Sequence, residues 1–194
     1  MTHLDGRLAR SQRTRHAIVD SLIGLLEDGV VQPTVEEVAA RAGVAPRTVF
    51  QHYPDREALF VAVSLRRQPT LDALMAPICL EGSLDERLDA LVDQRVRIYE
   101  WIAPVRRAAL LMEPFSEAIH AALEGLRAVK RSEAVRVFGA EITAVSEERR
   151  PALEAGIASA ASWSAWDALR TQQRLDVESS RAAVRGVLAG LLCT

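Results

Sequence analysis

Cysteine is scarce: among 194 residues only Cys79 and Cys193 occur, far apart and in apolar surroundings. A disulfide framework or a structural zinc site needs clustered thiols, so neither is expected, and a reducing cytoplasm fits. Also missing is any run of about 18 apolar residues, the length that crosses a bilayer. The opening T-H-L-D-G-R-L-A-R has no apolar core of signal-peptide length. A soluble, cytoplasmic chain without a membrane partner is expected. Long period-two alternation and Gly-rich hairpin turns are absent, which leaves no basis for strands and points to an all-α fold. Repeats, low-complexity tracts, Gly-rich phosphate loops and nucleophile motifs do not occur, so neither a solenoid nor a phosphate-binding or covalent enzyme is indicated. Aromatics make up 5% of the chain, yet all three Trp lie from Trp101 onward, where they can gather in one core.

What is present is 49% hydrophobic content, enough for one or two compact domains without staples. One stretch, Pro33 to Leu59, is dense in helix punctuation. Thr34 is placed to cap a helix while Glu37, three residues on, reaches back to the cap amide. Val35, Val38, Ala39 and Ala42 then recur at helical spacing, and Gly43 follows where a left-handed residue ends a helix without a Cβ penalty. Pro46 stands at the start of a second helix, whose missing N–H costs nothing there, and Pro54 limits its length. On that short helix Val49 and Tyr53 face inward, while Arg47, Thr48, Gln51 and His52 face out. Two short helices crossing through a Gly turn are the geometry that places a second helix in the DNA major groove. Spacing alone also fits an ordinary helical hairpin with a polar face.

Net charge is −2, which by itself argues against a nucleic-acid partner, but the distribution is uneven. Residues 1–16 hold Arg7, Arg10, Arg13 and Arg15 against Asp5, a local excess of three positive charges, whereas 68–194 carry 15 basic and 18 acidic side chains. The basic end adjoins the paired helices, as an arm lying along phosphates would; a solvated terminus has the same composition.

Helical signals fill the remainder. Ile18, Leu22, Leu25 and Leu26 make one stripe closed by Asp28-Gly29. Asp55 caps a fourth helix that Pro69 is expected to interrupt, and Pro77 with Gly82 marks a boundary. Ser83 and Glu86 form another capping box before a helix expected to end near Ala103, ahead of Pro104. A shorter helix through Met112, one starting near Pro114, one from Pro151 past Trp163 and Trp166 to about Gln173, and a last one over 177–192 capped by Asp176 complete the expectation. The expected organisation is 1–60 as an N-terminal arm with a three-helix DNA-binding domain, 61–82 as a connecting helix and linker, and 83–194 as a C-terminal helical bundle.

R-x-x-I-x-x-x-x-x-x-L-L-x-x-G, then T-V-E-E-V-A-A-R-A-G-V-A-P-R-T-V-F-Q-H-Y-P-D-R-E-A-L-F, resembles the DNA-binding domain of the TetR family of bacterial transcriptional regulators, over residues 11–60. The resemblance implies that Thr34 touches a phosphate and that Arg47 and Thr48 meet bases or phosphates. Phe50 stands where Tyr is commoner and keeps the ring for a thymine methyl. Gln51 and His52 match base-facing and phosphate-facing positions, and Arg56 keeps the charge where Lys is usual. Arg10 and Arg13 extend the set along the basic end. Two departures stand out: Ala45 replaces the frequent Ser, removing a side-chain cap, and Arg47 replaces the frequent Gly.

The same resemblance implies a C-terminal domain that binds a small-molecule effector and dimerises. Small residues from 156 to 166 let helices approach closely, so Ala155, Ala158, Ser159, Ser162 and Trp166 with Val184, Val187, Leu188 and Leu191 are candidates for a four-helix dimer bundle, or for the chain's own core. Tyr99, Trp101, Met112, Phe115, His120, Trp163 and Trp166 are candidate pocket residues, each equally suited to plain core. Glu117-x-x-His120 has the spacing of a di-metal carboxylate bundle, but His occurs only at 3, 16, 52 and 120, so a second such pair is missing. No cofactor, metal or catalysis is expected. The reading is a homodimeric, ligand-responsive regulator, a repressor, on a palindromic operator in double-stranded DNA. A dimer that had lost its operator and acts through protein contacts is the alternative, against which Thr34, Thr48, His52 and Arg56 stand.

Overall fold

The computed structural model describes residues 2–193, which form helices and short connections with no strand among them. The first four are α1 (Thr2–Glu27), α2 (Val35–Ala42), α3 (Pro46–His52) and α4 (Arg56–Leu74). They are followed by α5 (Leu84–Met112), a 3-10 turn (Glu113–Phe115), α6 (Glu117–Val137) and α7 (Gly139–Ala144). The chain closes with α8 (Arg150–Ala160), α9 (Trp163–Asp167), a π-helical turn (Ala168–Gln172) and α10 (Val177–Leu192). Two compact units result: one runs to Thr70 and adds Ile102–Ala122, and the other comprises Leu71–Trp101 and the chain from Leu123 on.

In the first unit, Ile18, Val19, Leu22 and Leu26 of α1 are buried, as are Val38 and Ala39 of α2, Val49 of α3, and Leu59, Phe60 and Val63 of α4. The Arg41 guanidinium lies over Gly24, 2.7 Å from where a Cβ would stand. Arg41 pairs there with Asp28. Arg66 and Arg67 of α4 reach Asp20 and Glu27 of α1 at 2.9 and 2.8 Å, fixing the fourth helix against the first.

In the second unit, Leu88, Leu91, Val92 and Ile98 share the interior with Phe138, Ile142, Ile157, Trp166, Val184 and Leu188. Charge is threaded through it. Asp85, Asp89 and Asp93, four apart on α5, face Arg181 and Arg185, four apart on α10, with hydrogen bonds of 2.6–3.3 Å. Hydrogen bonding from Arg185 holds the Asp89 carboxyl below its usual range. Deeper in, Arg95 and Gln94 both donate to Glu133, at 2.7 and 2.9 Å.

Several helix limits differ from the sequence expectation. Pro69 lies inside α4 and Pro104 inside α5. A proline deletes one i→i−4 bond and crowds the carbonyl behind it. At Pro69 that carbonyl belongs to exposed Leu65 and water can reach it, and around Pro104 the buried Ile98, Tyr99 and Ala103 before it and Val105 after it hold the helix. α6 starts after Ser116, whose hydroxyl accepts from Ile119 N at 3.1 Å, so Pro114 belongs to the preceding turn. The helix from Pro151 stops at Ala160, because Ser162 is extended and caps a new helix by accepting from Ala165 N. α6 ends at Val137 and α7 begins at Gly139, with Phe138 outside helical geometry between them, and a second break follows Ala144, so Gly139 and the polar S-E-E-R-R stretch both mark helix ends. The N-terminal arm is also helical: α1 is continuous from Thr2, so Arg10 and Arg13 sit on a helix flank.

Candidate nucleic-acid interface and associated cleft

The expected capping box is present. Glu37 N donates to Thr34 Oγ1 (3.2 Å), and Thr34 N and Oγ1 donate to Glu37 Oε2 (2.7 and 3.0 Å). The backbone and then the side-chain hydrogen bond from Thr34 hold the Glu37 carboxyl below its ordinary value. The Thr34 hydroxyl proton is thereby committed to Glu37 while the residue stays exposed. Gly43 closes α2 at φ 67°, the left-handed region, and its N–H returns to Ala40 O. α3 then begins at Ala45, which is extended and offers no side-chain cap, and ends at Tyr53 with its N–H on Val49 O.

The two faces of α3 separate as the spacing requires. Val49 and Tyr53 are buried, and the Tyr53 hydroxyl donates to Arg15 O at 3.2 Å while the Arg15 guanidinium lies 5.3 Å from the Tyr53 ring centre. Arg47 and Gln51 are exposed, Thr48 and His52 half-buried, and Phe50 keeps 52% of its surface open. An aromatic ring so exposed beside an Arg, an amide, a hydroxyl and an imidazole offers stacking, methyl contact and hydrogen bonding from one short helix. Asp55 caps α4 through Ala58 N at 2.7 Å, and the exposed Arg56 donates one long bond (3.3 Å) to Pro33 O. Arg10 and Arg13 are exposed on α1, three residues apart and therefore on one flank.

The aromatic residues expected to line a pocket divide between the units. In the second, Tyr99 donates to Ala161 O (2.7 Å), its ring meets Trp163 edge-on at 5.7 Å, and Trp166 donates to Glu100 (2.9 Å). The hollow beside Tyr99, Trp166 and Val184 has no volume that a ligand could enter, and both rings are buried. Trp101 is half-buried. In the first unit Met112 and Phe115 do line a cleft, whereas His120 is exposed and faces Glu113 at 3.3 Å.

That cleft, about 400 Å³, is bounded by Val31, Gln32 and Pro33, by Arg56, Glu57 and Phe60 of α4, and by Ala108 to Ser116 at the end of α5 and the turn after it. Sequence reasoning missed most of these residues, because they are apolar or unremarkable singly and come from three distant segments. Ser116 Oγ donates to Glu57 Oε2 at 2.5 Å across it.

Of the candidate dimer residues, Ala155, Ser159 and Val187 are exposed, Ala158, Ser162 and Leu191 half-buried, and Trp166, Val184 and Leu188 fill the chain's own core. α8 and α10 meet closely where Gly156 would place a Cβ 3.4 Å from Leu191. Among the described residues, no cluster of three or more His, Cys, Asp or Glu is arranged to hold a metal, and no helix is long and apolar enough to cross a membrane.

Residues 25–63 match the sequence profile of the bacterial regulatory proteins, tetR family. A solved TetR-like transcriptional regulator from Rhodococcus sp. RHA1 shares the fold, with a TM-score of 0.57 at 14% identity over 94% of this chain and 95% of that one. None of the curated proteins compared with the chain matches it.

Proposed function

We propose that the chain, whose residues 25–63 match the tetR family profile and whose all-helical fold a TetR-like regulator shares, is a homodimeric, ligand-responsive repressor. It works in the cytoplasm on a palindromic operator read by α3. The observation that carries this is the outward face of α3, with Arg47, Gln51 and Phe50 exposed on a helix whose opposite side is locked by Val49 and Tyr53. Phosphate contacts from Arg56, Thr34 and the basic flank of α1 would fix register, and α3 would supply sequence readout.

Dimerisation has a physical motive and a surface. One helix of this length addresses few base pairs, whereas two related by a dyad address half-sites about 34 Å apart. The exposed small residues Ala155 and Ser159 on α8, with Val187 on α10, are the kind of face that a second copy covers in a four-helix bundle. An effector shifts operator occupancy only by its differential affinity for the bound and released states.

A gel-shift titration of Arg47→Ala against the DNA upstream of the protein's own gene tests the reading. A loss of about 1–3 kcal/mol in specific binding is expected. If Arg47 holds a phosphate, the salt dependence also falls by about one unit of slope and all sequences weaken alike; if it reads guanine, discrimination at one position is lost. Binding unchanged by the substitution would contradict the role given to α3.

A further inference from the structure

The cleft of the first unit has the volume of a small-molecule site and an uneven lining. Most of its wall is apolar: Val31, Pro33, Phe60, Ala108, Leu111 and Met112. Phe115 stands at its edge with 88% of its surface open, and Leu111 is 47% open, so both present apolar surface that an occupant could cover. The polar groups are unequal. The Glu57 carboxylate is already engaged by the Ser116 hydroxyl, whereas Arg56 holds only a long bond to a carbonyl and is otherwise exposed. An occupant therefore meets a broad apolar surface, one cation with donors to spare, and one carboxylate that Ser116 already engages.

We propose that this cleft binds a small amphipathic organic acid, its acidic group on Arg56 and its apolar body against Phe60, Leu111, Met112 and Phe115. The inference rests on the reading of the chain as a ligand-responsive regulator, and it places the effector site in the first unit rather than beside Tyr99 and Trp166, where the hollow admits no ligand. Regulation follows from one shared residue. Arg56 also belongs to the candidate DNA face, so an acid that engages its guanidinium withdraws a cation from the operator phosphates. The bound acid also lies against Glu57, whose bond to Ser116 joins the first turn of α4 to the cap of α6. Ligand and DNA then oppose each other, each lowering the affinity for the other by the same factor.

The test is a fluorescence titration of the full chain with anilinonaphthalene sulfonate, an apolar anion, and with phenylnaphthylamine, its neutral counterpart. One saturable site per chain is expected for the anion. Arg56→Gln and Leu111→Glu each weaken it by about tenfold, the size of a charge-assisted bond or a lost apolar contact. Leu65→Glu, on an exposed part of α4 outside the cleft, leaves it unchanged. The neutral probe binds more weakly and is insensitive to Arg56→Gln. Circular dichroism establishes that each variant is folded, and Phe115→Ala, at a fully open position, replaces Leu111→Glu if that variant is not. Anion binding that ignores the cleft variants, or no saturable binding, overturns the proposal. The titration contains no DNA, so failure to bind an operator leaves its outcome intact, and an operator complex formed by a chain that fails the titration condemns the cleft alone.

Discussion

At the scale of single residues, the most perturbed group is Lys130. Its ammonium finds no hydrogen-bond partner among the described residues, and burial, followed by the nearby Arg95 charge and opposed by Glu133, pushes its pKa down to about 7. Glu133 is affected in both directions: burial raises its pKa, but hydrogen bonds from Gln94 and Arg95 outweigh that and leave it lowered. Because the folded state binds the lysine proton less tightly than the unfolded chain does, this residue destabilises the fold fully below about pH 7 and progressively less up to the ordinary lysine range. Denaturant titrations should therefore show stability rising between about pH 7 and pH 10, by at most about 1.4 kcal/mol per pH unit from this residue. In Lys130→Met that rise should disappear and stability at the acidic end should increase. A rise that survives the substitution would assign it to another group. Nothing in the sequence marks Lys130, since its environment comes from α5, some 35 residues away.

Helices were legible where their signals are local. Thr34 with Glu37, Gly43, Ser83 with Glu86, Asp55 and Asp176 each act within a few residues of the chain, and the structure places every one of those caps as expected. Pro69 and Pro104 misled because their breaking tendency is local while the packing that holds α4 and α5 through them is not. Ser162 as a cap was overlooked for a different reason: embedded in A-S-W-S-A-W at helical spacing, it reads as interior, yet its extended backbone starts a new helix. The missing cap at Ala45 yields a prediction for one element. The residue is already extended, at φ −74° and ψ 148°, so Ala45→Ser needs no rearrangement to accept an N–H from the first turn of α3. Thermal or chemical unfolding should show a gain of about 0.5–1 kcal/mol. A neutral or negative effect would mean that the Thr48 N–H to Ala45 O bond at 2.8 Å already satisfies that turn and blocks the cap.

For the whole molecule, the all-helical fold was readable from periodicity and caps, and the helix pair that carries the proposed DNA face from a short stretch of sequence. The cleft was not, because Val31–Pro33, Arg56–Phe60 and Ala108–Ser116 come together only in the folded chain. Of the residues proposed for a dimer face, small ones marked α8, but spacing could not say that Trp166, Val184 and Leu188 turn into the chain's own core. Val187, 55% exposed on α10, is the apolar residue that the proposed partner would cover. Sedimentation of Val187→Asp should give monomers at concentrations where the unaltered chain is dimeric, and its operator affinity should fall with the loss of the second half-site. An unaltered mass would place the interface elsewhere. The central claim is sequence-specific reading of DNA by α3, and the ratio of affinities for the upstream duplex and a shuffled duplex at one salt concentration tests it most directly. The account predicts preference for the upstream duplex by at least about a thousandfold; equal affinity for the two would contradict it.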